Sequence, residues 1–132
     1  MSITYKTDVT PETKAIISVY ASAGLKRPIE DEQRIHDMYE GSNLVVTAWD
    51  GDVLVGVARS VTDFCYSCYL SDLAVDKDYQ HSGIGKQLVA LTKETIGPKT
   101  MLLLLSATTA MEYYPKIGME KLNNAFMIKR EI

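Results

Sequence analysis

The stretch Leu44–Val75 constrains the fold most. Leu44-Val45-Val46-Thr47-Ala48-Trp49 is dense in strand formers, Asp50-Gly51 is a hairpin signal, and Val53-Leu54-Val55-Gly56-Val57-Ala58 resumes the apolar texture. Gly56 is a candidate bulge, Asp63 marks the next turn, and a third strand runs from about Tyr66 to Val75. Strands joined by such short turns run antiparallel, because a parallel pair needs a crossover of about a dozen residues or more. The middle of the chain is therefore an antiparallel meander.

The flanks supply helices to cover it. Ile3–Lys6 is a short first strand. Thr10-Pro11-Glu12 combines a hydroxyl cap, a proline suited to a first turn and an acid, and Ile16, Val19, Tyr20 and Ala23 follow at helical spacing up to Gly24. A second helix, Asp31–Glu40, presents Ile35, Met38 and Tyr39 and stops at Gly41. After the meander a polar loop, Asp76–Gly83, opens a helix with Ile84, Leu88, Leu91 and Thr95 on one face, and Gly97-Pro98 ends it. Thr100–Leu105 is nearly all apolar and reads as a central strand buried on both faces. Thr108 or Thr109 caps a helix through Tyr113, Tyr114 and Ile117 to Gly118, and Ala125–Lys129 reads as a last strand after an Asn123-Asn124 turn. The order is β-α-α-β-β-β-α-β-α-β. The helix between Leu70 and Leu105 makes its two strands parallel, so the expected fold is α+β: a mixed, mostly antiparallel sheet with helices on both faces.

With 132 residues, 46% hydrophobic and 23% charged, the chain fits one domain spanning 1–132. Fourteen basic against seventeen acidic residues leave a net charge of −3 and no basic stripe, which argues against nucleic acid as a partner. No apolar run approaches the roughly 20 residues of a membrane span, and the N-terminus lacks the pattern of a signal peptide. The default expectation is a cytoplasmic protein without membrane contact. Cys65 and Cys68 stand at C-x-x-C spacing, but they run into a strand instead of opening a helix. His36 and His81 offer no finger spacing, so no metal is expected.

Gln80-His81-Ser82-Gly83-Ile84-Gly85-Lys86 lies between a strand and a helix. Successive backbone N–H groups there, with roughly half a positive charge at the helix N-terminus, suit a phosphate or pyrophosphate. A Walker loop is excluded because Gln87 follows Lys86, and a dinucleotide fingerprint lacks its third glycine. A plain glycine turn before a helix stays open on this loop alone.

The loop and its approach, Leu73-Ala74-Val75-Asp76 then Gln80-x-x-Gly83-x-Gly85, resemble the acetyl-CoA loop of the GNAT superfamily of N-acetyltransferases. Ala110-Met111-Glu112-Tyr113-Tyr114-Pro115-Lys116-Ile117-Gly118-Met119 is similar to that family's C-terminal motif. The resemblance implies a strand that splays at a bulge. Leu73, Ala74 and Val75 would then pair with the pantetheine arm, and Gln80 would sit where the family often has Arg or Gln. Backbone N–H groups from His81 through Ser82, Gly83, Ile84 and Gly85 to Lys86 would hold the pyrophosphate. It implies direct attack by a primary amine of a small acceptor on acetyl-CoA in a ternary complex. Tyr114 would return a proton to the leaving thiolate, and Asp72 would serve as base, directly or through water. Plainer readings are a packed Tyr114 and a solvent-facing strand-edge Asp72. Ala107 stands where the family often has asparagine, Met119 replaces an aromatic, and Pro115 should kink its helix. These departures leave a second reading, a CoA-binding module without turnover; a third is another nucleotide-binding domain. Ala125-Phe126-Met127-Ile128 permits a homodimer. His36 reads as part of a solvated helix face; the resemblance leaves open that His36 and Tyr39 line the acceptor pocket.

Overall fold

The computed structural model describes residues 2–132. Five strands form one sheet in sequence order: β1 (Ile3–Lys6), β2 (Leu44–Asp50), β3 (Val53–Thr62), β4 (Ser67–Val75) and β5 (Met101–Leu104). All neighbours are antiparallel except β4 and β5, which are parallel. The meander and the crossover are thus as the sequence indicates. Helices α1 (Thr13–Ala23) and α2 (Glu32–Glu40) cover one face, and α3 (Ile84–Ile96) covers the other. Two apolar cores result. Ile16, Val19, Tyr20, Ile35 and Tyr39 pack with Val45, Leu54, Val57 and Ala74. Ile84, Leu88, Val89 and Ile96 pack with Val46, Ala48, Val55, Cys68 and Leu70.

Local chemistry explains the elements. Asp31 caps α2 by accepting from the Arg34 N–H at 3.1 Å. Asp63 Oδ1 accepts from the N–H groups of Cys65, Tyr66 and Ser67 and so closes the β3–β4 hairpin. Gly56 has a packing reason: a Cβ there would come within 3.1 Å of Leu88 and 3.2 Å of Ile84, so glycine lets α3 lie close on the sheet. The register between β2 and β3 shifts beside it, because Ala48 pairs Gly56 while Trp49 pairs Leu54.

The second register shift organises the site. Arg59 pairs with Asp72, but Ser60 pairs with Leu70, so Ser71 is an extra residue in β4. The alternation of faces inverts there. Cys68 and Leu70 face the α3 core, whereas Asp72 and Ala74 face α1 and α2. Pairing with β5 covers only Ser67–Leu70 against Met101–Leu104. From Ser71 to Val75, β4 is bonded on one side and open on the other.

Several expectations need correction. α1 starts at Thr13 after Glu12, which makes no side-chain cap, so the hydroxyl of Thr10 plays no capping role. Thr95 is exposed, and Thr92 and Ile96 carry that side of α3 instead. The helix expected from Thr108 to Ile117 breaks into a 3-10 turn at Thr108–Ala110 and a short α4 (Tyr113–Lys116). Pro115 offers no N–H to a longer helix. Ala125–Lys129 forms no strand: it has no pairing partner among the described residues, and Phe126 and Ile128 are almost wholly exposed. With nothing paired to its far side, β5 is an edge strand with exposed or half-buried residues, not a central one.

Candidate active site: an open strand edge that leads into a helix N-terminus

The Asp76 N–H donates to the Val55 carbonyl at 2.8 Å, so Asp76 and Ala74 direct their backbone groups toward β3. Strand alternation then points those of Leu73 and Val75 to the open side. Both ends of this open edge are capped by side chains. Arg27 Nη2 donates to the Ser71 carbonyl at 2.8 Å, and Gln80 Nε2 donates to the Val75 carbonyl at 3.0 Å. Between them the outward N–H and C=O of Leu73 have no partner from β5. An extended chain with amide groups could bond there as an added strand would.

The edge runs into the glycine loop. A 3-10 turn at Lys77–Tyr79 is held by the Asp76 side chain on the Asp78 N–H, by the Ser22 hydroxyl on the Lys77 N–H, and by the Tyr79 hydroxyl on Asp50. His81 and Gly83 then take left-handed backbone angles, φ 68° and 79°. A histidine in that region is uncommon. The Gln87 N–H makes the first bond of α3, to the Gly83 carbonyl at 3.0 Å. The N–H groups of Ile84, Gly85 and Lys86 precede that bond and have no partner inside the helix. His81, Ser82 and Gly83 are exposed at the entrance.

Gly85 is the close-approach position. A Cβ on it would lie 2.8 Å from the Tyr113 hydroxyl and 3.8 Å from Val75. The Tyr113 hydroxyl of α4 thus lies close against the first turn of α3. Tyr114 follows on α4, edge-on to Tyr113 with ring centroids 5.1 Å apart. Burial, and then the neighbouring Tyr113, push its phenol above the ordinary tyrosine value. It stays protonated at neutral pH, which is the state a proton donor needs.

Asp72 is a different kind of group. It is fully buried, and its carboxylate receives four donors: Arg27 Nε at 2.7 Å, Ser71 Oγ at 3.1 Å, Tyr20 Oη at 2.6 Å and Arg59 Nε at 2.8 Å. A carboxylate offers about four acceptor positions, so none is left for an incoming proton. Burial pushes its pKa up, but the Arg59 bond and charge, with Tyr20 and Arg27, outweigh this and hold it below the usual carboxylate value. Both properties make Asp72 a poor base and a good anchor. The solvent-facing reading of this residue is excluded as well.

The cluster continues through Tyr39, hydrogen-bonded to Tyr20, and through Arg59, whose Nη1 and Nη2 reach the hydroxyls of Ser42 and Ser71. Burial raises the phenols of Tyr20 and Tyr39, so both remain neutral. Arg59 was not among the residues singled out from the sequence; Tyr20 was read only as a helix-face position, and Tyr39 as a helix position that could line the acceptor pocket. A signal for Arg59 was there: Arg59 and Asp72 are opposite charges inside two otherwise uncharged strands. His36 is half-exposed near Asp37 and Glu40, a solvated helix face. Cys65 is exposed and Cys68 buried, and both are free thiols. Among the described residues no three His, Cys, Asp or Glu side chains converge on a metal position, and no helix is long and apolar enough to cross a membrane.

The parallel pair that stops at Leu70, the bulge at Ser71 and the N-terminus of α3 beyond Val75 form one continuous candidate ligand site. The sequence pattern described as "Acetyltransferase (GNAT) domain" matches residues 10–129, so the chain belongs to that family. GCN5-related N-acetyltransferase 2, chloroplastic, of Arabidopsis thaliana is 32% identical over 72 residues, covering 51% of this chain and 27% of that protein. The histone acetyltransferase TAP1 of Glycine max is 29% identical over 69 residues, 51% of this chain and 30% of that protein. The chain thus spans under a third of the length of these curated relatives. Among solved structures, a GNAT-family acetyltransferase from Streptococcus pneumoniae superposes with a TM-score of 0.72 at 25% identity, covering 98% of this chain and 100% of that one. A probable acetyltransferase from meticillin-resistant Staphylococcus aureus reaches a TM-score of 0.82 at 20% identity, with 98% and 100% coverage.

Proposed function

We propose that the chain binds acetyl-CoA and transfers its acetyl group to the primary amine of a small acceptor, by direct attack in a ternary complex. One observation carries this reading: the unpaired edge Ser71–Val75 of β4 leads directly into the unpartnered N–H groups at the start of α3. A pantetheine arm carries amides that match an open strand edge, and a pyrophosphate matches a helix N-terminus. The residues present fit both parts. Leu73, Ala74 and Val75 would hold the arm, Leu73 through its free outward groups. N–H groups between His81 and Lys86 would hold the pyrophosphate, and Gln80 would position the end of β4 through the Val75 carbonyl.

The bound thioester supplies an activated acyl group. The acceptor, an ammonium at neutral pH, would first lose a proton to water. Its lone pair would then form the new C–N bond as the C–S bond breaks, and the nitrogen would release a second proton to water. The thiolate would take one from Tyr114, which would regain it from water. A thiol of pKa about 8.5 leaves as its anion at neutral pH only briefly, and a neutral phenol is a competent donor. No base role is given to Asp72. It holds Arg27 and Arg59 and so fixes the bulge that opens the edge.

The direct test is the release of free thiol from acetyl-CoA in the presence of a panel of amines. Thiol release that requires both the amine and the folded chain supports transfer. Tight acetyl-CoA binding with no release for any amine would reduce the protein to a CoA-binding module.

A further inference from the structure

We propose that the acceptor is an amine that also carries a carboxylate and an apolar side group, as a free hydrophobic amino acid does, with Arg27 as its anion anchor and the row Val61–Tyr69–Leu103 as its apolar seat. This rests on the acetyl-transfer reading above.

The first observation is an unbalanced charge at the crotch of the sheet. Arg27 and Arg59 both pair with the single carboxylate of Asp72, and the two tyrosines beside it are neutral. The cluster therefore carries one net positive charge. The two guanidiniums are not equivalent. Arg59 is nearly buried at 11% exposure, whereas Arg27 is 28% exposed. Arg27 donates through Nε to Asp72, through Nη1 to the Lys26 carbonyl and through Nη2 to the Ser71 carbonyl. A guanidinium has about five N–H donors, so each terminal nitrogen of Arg27 keeps one free. Ser71 is the first β4 residue past the last β4–β5 pair. A cofactor whose pyrophosphate lies at the Gly83 end and whose arm runs back along β4 delivers its thioester toward Ser71. Arg27 thus presents a fixed, partly exposed cation where acceptor and acyl group meet. A carboxylate next to the amine satisfies it with charge-assisted bonds, and the same charge opposes a bare alkylammonium.

The second observation is independent. Val61 pairs with Tyr69, and Tyr69 with Leu103, so these side chains form one row across β3, β4 and β5. The row lies on the α1–α2 face, but α1 and α2 stop short of it: Val61 is 48% and Tyr69 38% exposed. With Met101 it lines an open groove of about 340 Å³. Arg59 and Asp72 form the preceding row on the same face, which places the groove about 7 Å from the cluster, two residues along a strand. Asp63, at the far end of the groove, spends one oxygen on three backbone N–H groups of the hairpin and stands away from Arg27. A cation at one end of an exposed apolar row fits a small molecule with a carboxylate at one end and an apolar group beyond it.

The test uses matched acceptors with the full chain and acetyl-CoA. Phenylalanine should be acetylated about tenfold or more faster in kcat/KM than phenethylamine, which lacks only the carboxylate, and faster than glycine, which lacks only the apolar group. Calorimetric binding of phenylalanine to the CoA-loaded protein should follow the same order. Arg27→Gln should bring the phenylalanine-to-phenethylamine ratio toward one, Arg27→Lys should keep part of it, and Tyr69→Ala should reduce the phenylalanine-to-glycine ratio alone. Acetyl-CoA affinity measured on each variant reports whether it is folded. A preference for phenethylamine, or a ratio unmoved by Arg27→Gln, overturns the inference and leaves acetyl transfer standing. Failure of the wild-type chain to bind acetyl-CoA removes the acetyl-transfer reading itself. Tyr69→Ala that changes sedimentation but no acceptor ratio would assign the row to contact between two copies, which also overturns it.

Discussion

Asp72 and the α3 loop lie at opposite ends of the same half-strand and handle polar groups in opposite ways. Around Asp72 every lone pair is filled: four donors converge on one carboxylate, and the arginines that supply two of them are themselves bonded onward. At the other end, donors are left open. The outward groups of Leu73 and the N–H groups of Ile84, Gly85 and Lys86 find no partner among the described residues. A satisfied buried network gives the fold its shape, because breaking it strands a charge in the interior. Unsatisfied groups at a surface cleft are what a ligand can use. Buried Asp72 is therefore the poorer choice for chemistry, and the open backbone groups are the better place for a ligand.

The sharpest way to break the comparison is Asp72→Asn. It leaves two guanidiniums facing an amide, and the loss of folding stability should be about 3–5 kcal/mol in chemical denaturation. Its pH dependence follows the depressed pKa. The Asp72 contribution is fully present above the unfolded carboxyl value of about 3.9 and is lost as pH falls through the lower folded value. The stability of the variant should accordingly fall less steeply below about pH 4 than that of the wild type. Equal acid sensitivity would mean that Asp72 is no anchor.

Next in size is Tyr114→Phe. Removing a positioned proton donor should lower kcat by about 100-fold and leave the acetyl-CoA dissociation constant unchanged. Unchanged turnover would return Tyr114 to packing. Gly85→Val comes third. A branched side chain there collides with the Tyr113 hydroxyl, 2.8 Å from the Cβ position, and shields the first-turn N–H groups. Acetyl-CoA binding should weaken about tenfold or more, since each lost charge-assisted bond is worth roughly 1.5–3 kcal/mol. Tyr113→Phe in the same chain should recover part of the loss by removing the colliding atom. His81→Gly should have the smallest effect. It relieves a left-handed non-glycine residue and keeps the backbone N–H, so affinity should hold while stability rises by up to about 1 kcal/mol. A large loss of affinity would show that the imidazole itself meets the anion.

What the sequence disclosed was local. Asp50-Gly51 and Asp63 mark their turns by chemistry that acts over a few residues, and the Gly83–Gly85 loop declares itself between a strand and a helix. The Ser71 bulge left no such mark, because Leu70-Ser71-Asp72 contains neither glycine nor proline. That single extra residue turned Asp72 into the α1–α2 core, where it meets Tyr20 and Arg27 from distant segments. That placement fills the acceptor positions of Asp72 and so favours an anchoring role over the base role expected for it. Ala125–Lys129 illustrates the other limit. Strand propensity is a statement about a side chain on a pleated surface, and without a neighbour to pair with it makes no strand.

The central claim is that the open half of β4 and the start of α3 form one acetyl-CoA site. Calorimetric titration of the full chain with acetyl-CoA, and with NAD under the same conditions, tests it most directly. The account predicts saturable one-to-one binding of acetyl-CoA, weakened by Gly85→Val, and no binding of NAD. No binding of acetyl-CoA, or binding that Gly85→Val leaves untouched, would contradict it.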